Sequence, residues 1–250
     1  MSSFEIVFAV PMECQSCVES VTDALKPISG LESVDVQLDS NLVVTKGTTS
    51  PSDIVRAIQN TGRDAIIRGT GKPNSAAVCI LESFDPKDSA MPVKGLARIV
   101  SVNEKECVID LTVNGLPKGT YYPSVRQLGN LSRGALSTGG LYCQLQPVEV
   151  TQPSDISTTI NSIGSAIHRG LSSIGLCSGQ SFLHAPMNIS DIIGRSVILS
   201  SKPNTVTEDS LCGVIARSAG AWENDKQVCS CTGKTVWQER TDAVNKGITA

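Results

Sequence analysis

Apolar and polar residues alternate through FEIVFAV (4–10), which places Phe4, Ile6, Phe8 and Val10 on one face of a half-buried strand. The period then changes. Val18, Val21 and Leu25 recur at helical spacing, and Pro27 and Gly30 stop that helix. Alternation returns in SVDVQL with Val34, Val36 and Leu38 inward, DSN turns the chain, and LVVTK gives a second strand. Ser50 then stands as a candidate N-cap, with Pro51 at the first helical position and Asp53 completing a capping-box pattern. Ile54 and Ile58 form the stripe of this second helix, Gly62 ends it, and DAIIRG is a last short strand. The predicted order is β-α-β-β-α-β, the split-βαβ arrangement.

GTGKPNS (69–75) is turn-rich and reads as a linker. Beyond it AAVCILESF, VKGLARIVSV, ECVIDLTVNGLP and GRSVILSSKP predict short strands separated by Gly, Pro and Asn, the pattern of an antiparallel sandwich or barrel. Residues 129–195 are rich in Ser, Gly and Thr and predict long loops, with a short helix within PSDISTTINSIGSAIHRGL. From Trp222 onward the chain is polar and weakly patterned, which predicts a flexible or partner-ordered tail. The expected boundaries are 1–70, a linker at 71–75, 76–220, and a tail at 221–250.

Composition narrows the function classes. A net charge of −3 gives no basic footprint for nucleic acid. No apolar run reaches membrane-spanning length. The N-terminus lacks basic residues and Glu5 interrupts its apolar part, so no secretory leader is expected and a cytoplasmic, reducing compartment is. The acceptor patterns at Asn130 and Asn188 are discounted for the same reason. In such a compartment nine cysteines point to metal or redox chemistry rather than a disulfide framework.

Two thiol pairs carry the candidate chemistry. Cys14 and Cys17 fall where a strand gives way to a helix, and a helix N-terminus stabilises thiolates. Two thiolates at this spacing can hold one soft ion, Cu(I) before Zn(II), since zinc wants four ligands and no histidine lies nearby. Met12 would anchor the loop. A redox dithiol at a helix start is the rival reading. Cys229 and Cys231, in VCSCTG, form a C-x-C that can grip Cu(I) or close into a strained, exchange-prone disulfide. Trp222 and Trp237 flank it.

The M-x-C-x-x-C motif on this strand order resembles the heavy-metal-associated domain, an α+β ferredoxin-like fold, and implies copper binding by Cys14 and Cys17. VKGLARI, VNGLPKGTYYPSVRQLGNLS, DIIGRSVILSSKPN and LCGVIARSAG are similar to segments of copper/zinc superoxide dismutase, which implies an all-β Greek-key barrel over 76–220. Together the two halves and the tail resemble the fungal copper chaperones for superoxide dismutase. That resemblance implies Cu(I) delivery and disulfide formation in a superoxide dismutase partner, through a heterodimer docked by Gly213, Val214 and Ile215. The same surface could pair two copies of this chain. It also implies metal transfer or disulfide exchange at Cys229 and Cys231, a Cys177–Cys212 bridge, and a fraction in the mitochondrial intermembrane space. The chain departs from the dismutases at their metal ligands: Ser124 and Arg126 stand in the H-V-H stretch and Ser200 at a further ligand. Only His168 and His184 exist in the whole sequence. Dismutase activity and zinc in the middle domain are therefore not expected. Cys79, Cys107 and Cys143 are assigned no chemistry. A general thiol-disulfide oxidoreductase and a copper buffer remain the alternatives.

Overall fold

A computed structural model describes residues 3–153, 176–224, 226–228 and 232–245. The expected short helix within 153–171 and His168 lie outside the described residues, apart from Pro153 itself. The first 70 residues give strand β1 (Phe4–Ala9), helix α1 (Gln15–Leu25), β2 (Leu31–Gln37), β3 (Leu42–Gly47), α2 (Pro51–Gln59) and β4 (Ile66–Thr70). The four strands form one antiparallel sheet in the order β2-β3-β1-β4. Phe8, Val21, Leu25, Ile54 and Ile58 are fully buried between this sheet and its two helices, so the alternating and helical stripes meet as the sequence predicts.

The rest of the chain is antiparallel β. Its strands are β5 (Ala76–Glu82), β6 (Val93–Asn103), β7 (Glu106–Pro117), β8 (Gly119–Arg126), β9 (Ser132–Ala135), β10 (Leu141–Gln144), β11 (Val148–Val150), β12 (Gln152–Pro153), β13 (Leu176–Ala185), β14 (Ser196–Ser200), β15 (Leu211–Val214) and β16 (Ala216–Ser218). A one-turn helix, α3 (Ile189–Ile192), precedes β14. The main path runs β10-β8-β14-β15-β5-β6-β7-β13-β12, with β11 on β8 and β16 on β5. Since β11 pairs with β8 and lies beside β13, the sheet curls and its two halves enclose a single core of Ile99, Ile109, Leu111, Val125 and Leu199. This is a dismutase-type β-barrel. The loops expected across 129–195 are partly wrong: the short strands β9 to β12 fall in that stretch, and β13 is a ten-residue strand toward its end.

The two halves share a seam built on one buried acid. Asp110, in β7 and 1% exposed, accepts from the Ser52 backbone N–H at 2.9 Å, from Ser52 Oγ at 2.6 Å and from Ser50 Oγ at 3.0 Å. Ser50 was the expected cap, yet its hydroxyl makes no cap bond to its own helix. The carboxylate of Asp110 caps α2 instead, from the other half of the chain, where the helix dipole favours an anion. Arg98 Nη1 lies 3.8 Å from the same carboxylate. Gln180 Nε2 donates to Ser50 Oγ at 3.1 Å and to Asp53 Oδ1 at 3.3 Å. Val100, Val108 and Phe182 of the barrel join the apolar cluster under α2.

The tail also departs from expectation. Val236–Asn245 forms a helix, α4, and Arg240 on it pairs with Asp64 at 3.2 Å. Upstream, Thr70 N–H donates to Ala219 O at 3.1 Å and Ala221 N–H donates to Gly71 O at 2.8 Å, so the tail straps the expected linker.

Candidate metal-transfer site

β1 delivers the chain to Met12, and α1 begins just after Cys14. Cys14 is the N-cap, in extended backbone with φ −159°, and its carbonyl accepts from Cys17 N–H at 2.9 Å. The intervening loop is stapled from the β2–β3 turn. Asn41 Oδ1 accepts from Met12 N–H at 2.7 Å and its carbonyl accepts from Val10 N–H at 2.9 Å. Asn41 holds φ +55°, a conformation that asparagine tolerates better than most residues. Met12 is buried in the domain core, as expected of an anchor. Sequence reading passed over Asn41; its only signal was its place in the DSN turn.

The loop brings Cys14 Sγ and Cys17 Sγ to 3.6 Å, with Cys14 exposed and Cys17 half-buried. The Cys17 thiol is pulled down to about 6, most by the Glu13 backbone N–H, then by the Arg63 guanidinium and by Cys14, against a small burial effect. Arg63 itself is held by Thr61, donating to its carbonyl and its hydroxyl at 3.1 Å each. Elsewhere burial is the largest influence and acts in the opposite sense. It pushes Cys79 up to about 12 and Cys212 up to about 11, and raises Cys107 and Cys143. Among these groups Cys17 of the exposed front pair is the one shifted toward the thiolate. Two soft donors within reach of one ion and open to solvent can bind Cu(I) and release it to an incoming thiolate.

The other predicted positions divide. Cys229 and Cys231 lie outside the described residues. The two residues of the expected Cys177–Cys212 bridge are both buried, on β13 and β15. Cys212 packs with Ala135 and Ile198 in a small separate cluster, whereas Cys177 belongs to the barrel core. Three strands, β5, β6 and β7, separate β15 from β13 along the sheet. Ser124 and Ser200 are buried. Arg126 Nη2 donates to Gly139 O at 2.6 Å, and His184 Nδ1 sits 3.0 Å from Glu106 Oε1. No group of three or more His, Cys, Asp or Glu able to hold a metal occurs among the described residues.

Of the three expected docking residues only Val214 presents its side chain, 38% exposed; Ile215 is a core residue. Gly213 serves close packing: a Cβ there would lie 1.8 Å from Ile80 O. Gly213→Ala is expected to lower stability by about 1–3 kcal/mol through forced strand separation, read as a drop in Tm. Beside Val214 stand two more exposed apolar side chains, Ile80 and Leu128; the Leu128 carbonyl accepts from Ser196, which pairs with Val214.

Residues 7–64 match the family model of the heavy-metal-associated domain. Over its whole length the chain is similar to proteins of one kind. It is 67% identical to the "Superoxide dismutase 1 copper chaperone" of Debaryomyces hansenii, covering 98% of both chains. This chain belongs to the family of superoxide dismutase copper chaperones. The copper chaperone of Saccharomyces cerevisiae is 41% identical over 98% of both chains. The "Copper chaperone for superoxide dismutase" of Sus scrofa is 34% identical, covering 93% of this chain and 88% of its own.

Proposed function

We propose that this chain is a metallochaperone that carries Cu(I) on Cys14 and Cys17 and delivers it to superoxide dismutase. Copper is cargo here, and no dismutase chemistry of the chain's own is required. The observation that carries this reading is the full-length similarity to proteins named copper chaperones for superoxide dismutase, which covers the dithiol domain and the barrel together. The open geometry of the dithiol supports it, since a two-donor site can exchange its ion through a three-coordinate state. The barrel docks by likeness. An edge that resembles a subunit of the target, centred on Val214 with Ile80 and Leu128, takes the place of that subunit in a heterodimer. The same edge would bring two copies of this chain together when no target is present.

The rear pair acts on the docked target. A disulfide between Cys229 and Cys231 is opened by a target thiolate, giving a mixed disulfide. A second target thiolate then displaces the reduced pair and completes the target's own disulfide. In reduced form the same two sulfurs accept Cu(I) and pass it on.

The test is a transfer assay. The chain is loaded anaerobically with one Cu(I), mixed with reduced, copper-free superoxide dismutase, and exposed to oxygen with a copper chelator present. The native sequence activates the enzyme. Cys229→Ser with Cys231→Ser abolishes activation while the complex still forms. Val214→Glu weakens complex formation at least about tenfold by burying an unpaired charge. Full activation by the double serine variant would remove the tail from the mechanism.

A further inference from the structure

A cavity of about 230 Å³ lies where the front domain, the barrel and α4 meet. Much of its wall is apolar, with Val55 and Ile67 from the front domain and Ile99 from the barrel. Four polar residues complete it: Thr70 of β4, Arg98 of β6, Ser218 of β16 and Arg240 of α4. Among the described residues no aspartate or glutamate lines it. The volume falls below the roughly 300–1,000 Å³ of pockets for larger organic ligands and well above the roughly 30 Å³ share of one water. It suits a small ion with part of its hydration.

The donors around this space are under-used. The Arg98 side chain is 17% exposed, and the nearest carboxylate, Asp110, stands 3.8 Å from its Nη1. That carboxylate is already taken by Ser50 and Ser52. Among the described residues Arg98 makes one hydrogen bond, from Nη1 to Ser52 Oγ at a long 3.4 Å. A guanidinium carries five N–H donors, so Nε and Nη2 are left without an acceptor there. Thr70 is 6% exposed, and its hydroxyl has no hydrogen-bond partner among the described residues. A buried hydroxyl in that state costs free energy unless something in the cavity pairs with it. Arg240, with a side chain 14% exposed, is anchored at 3.2 Å to Asp64, which lies outside the cavity wall. Burial lowers the Arg98 pKa; Asp110 opposes that, and the like charge of Arg240 lowers it further. Two cations thus line one acid-free space where water screens them poorly.

We propose that this cavity is an anion site that holds a small tetrahedral oxyanion, inorganic phosphate or sulfate, between Arg98 and Arg240, with Thr70 and Ser218 as further donors. Guanidinium forks on two separate elements fit a tetrahedral ion better than a planar carboxylate, because the tetrahedron offers a pair of oxygens in each of two directions. The two hydroxyls supply neutral donors beside the forks. An ion bound this way joins three segments of the chain, so it favours the assembled arrangement of front domain, barrel and α4. Neither copper nor a target protein is needed for it.

The test titrates sodium phosphate, sulfate, acetate and chloride, at constant ionic strength, into the full, reduced, metal-free chain. Calorimetry reads stoichiometry and Kd, and thermal unfolding is followed in parallel. Phosphate or sulfate should bind once per chain and raise Tm progressively with concentration, and chloride should do neither. The tighter of the two oxyanions identifies the ion, and either result supports the site. Arg98→Met and Arg240→Met should each weaken binding at least about tenfold by removing a charge-assisted pair. Thr70→Val keeps the side-chain shape and should weaken it several-fold through one neutral hydrogen bond. Arg98→Met also gives up the charge beside Asp110, so Arg240→Met is the safer variant: α4 buries none of its side chains. Circular dichroism checks that each variant is folded. Oxyanion binding that Arg240→Met and Thr70→Val leave unchanged would place the ion elsewhere and overturn the site. Absence of saturable binding in the millimolar range overturns it too, and acetate binding more tightly than phosphate and sulfate overturns the tetrahedral assignment.

Discussion

Asp110→Ala is expected to destabilise the chain by about 3–5 kcal/mol, the range seen when one partner of a buried charged network is removed. The carboxylate is 1% exposed and takes three hydrogen bonds from α2 and the residue that caps it, from two serine hydroxyls and one backbone N–H. Removing it strands the Ser52 N–H at a buried helix start and leaves Arg98 without its nearest negative charge. The seam should fail before either core does, because the barrel has its own apolar cluster and the front cluster draws only a few residues from the barrel. Urea denaturation of the reduced, metal-free chain should therefore change from one transition to two, with the front domain melting first. Asp110→Asn keeps an acceptor for the Ser52 N–H and loses only the charge, so its cost should be about 1–3 kcal/mol. A single transition with less than about 1 kcal/mol lost in Asp110→Ala would mean that Asp110 does not join the halves.

None of this was visible in the one-dimensional pattern. Asp110 sits in ECVIDLTV, where it reads as an ordinary outward position of a strand. Its partners stand 58 and 60 residues earlier in the chain. The capping box at Ser50 and Asp53 predicts the start of α2 correctly for a different reason, since the acid that satisfies it comes from β7. The front domain was legible because each of its elements carries its own period: alternation in β1 to β3, and three- and four-residue spacing in α1 and α2. β13 was not, because Ser178, Gly179, Gln180 and Ser181 interrupt any apolar alternation and the strand is specified by pairing with β7 instead. Helix α4 has few apolar residues to reveal it and is fixed by an acid 176 residues away. The Cys177–Cys212 pairing was implied by resemblance alone, whereas a disulfide depends on which face of which strand each residue occupies. The site fared better. Two cysteines at a strand-to-helix junction are a local motif, and local chemistry survives translation into three dimensions. What that motif left out was its support: Asn41 from one turn and Arg63 from another, each distant in sequence.

That support makes the front pair sensitive to single substitutions. Cys17→Ser should weaken Cu(I) binding by more than about 100-fold, because losing a donor outright costs more than the roughly 10–100-fold typical of losing a group that only orients a donor. Competition against a Cu(I) chelator measures it. The proton is a second competitor. With the Cys17 thiol lowered to about 6, the sulfur is mostly thiolate at neutral pH and is protonated as pH falls through that value. The alkylation rate of metal-free Cys17 should fall across this window and be flat above it, and copper affinity should weaken as pH falls through the same window. Arg63→Met removes one of the groups that stabilise the thiolate but leaves the larger contribution of the Glu13 backbone N–H in place. The alkylation midpoint should therefore move upward without reaching the ordinary thiol range, and the rate at neutral pH should fall several-fold. Arg63→Lys retains a charge but lacks the planar fork that lets Arg63 bind Thr61 and Cys17 at once, so it should restore the midpoint only in part. A midpoint unmoved by Arg63→Met would assign the lowered pKa to the backbone of the loop alone, and with it the whole preparation of the copper site to Glu13, Cys14 and the Asn41 staple.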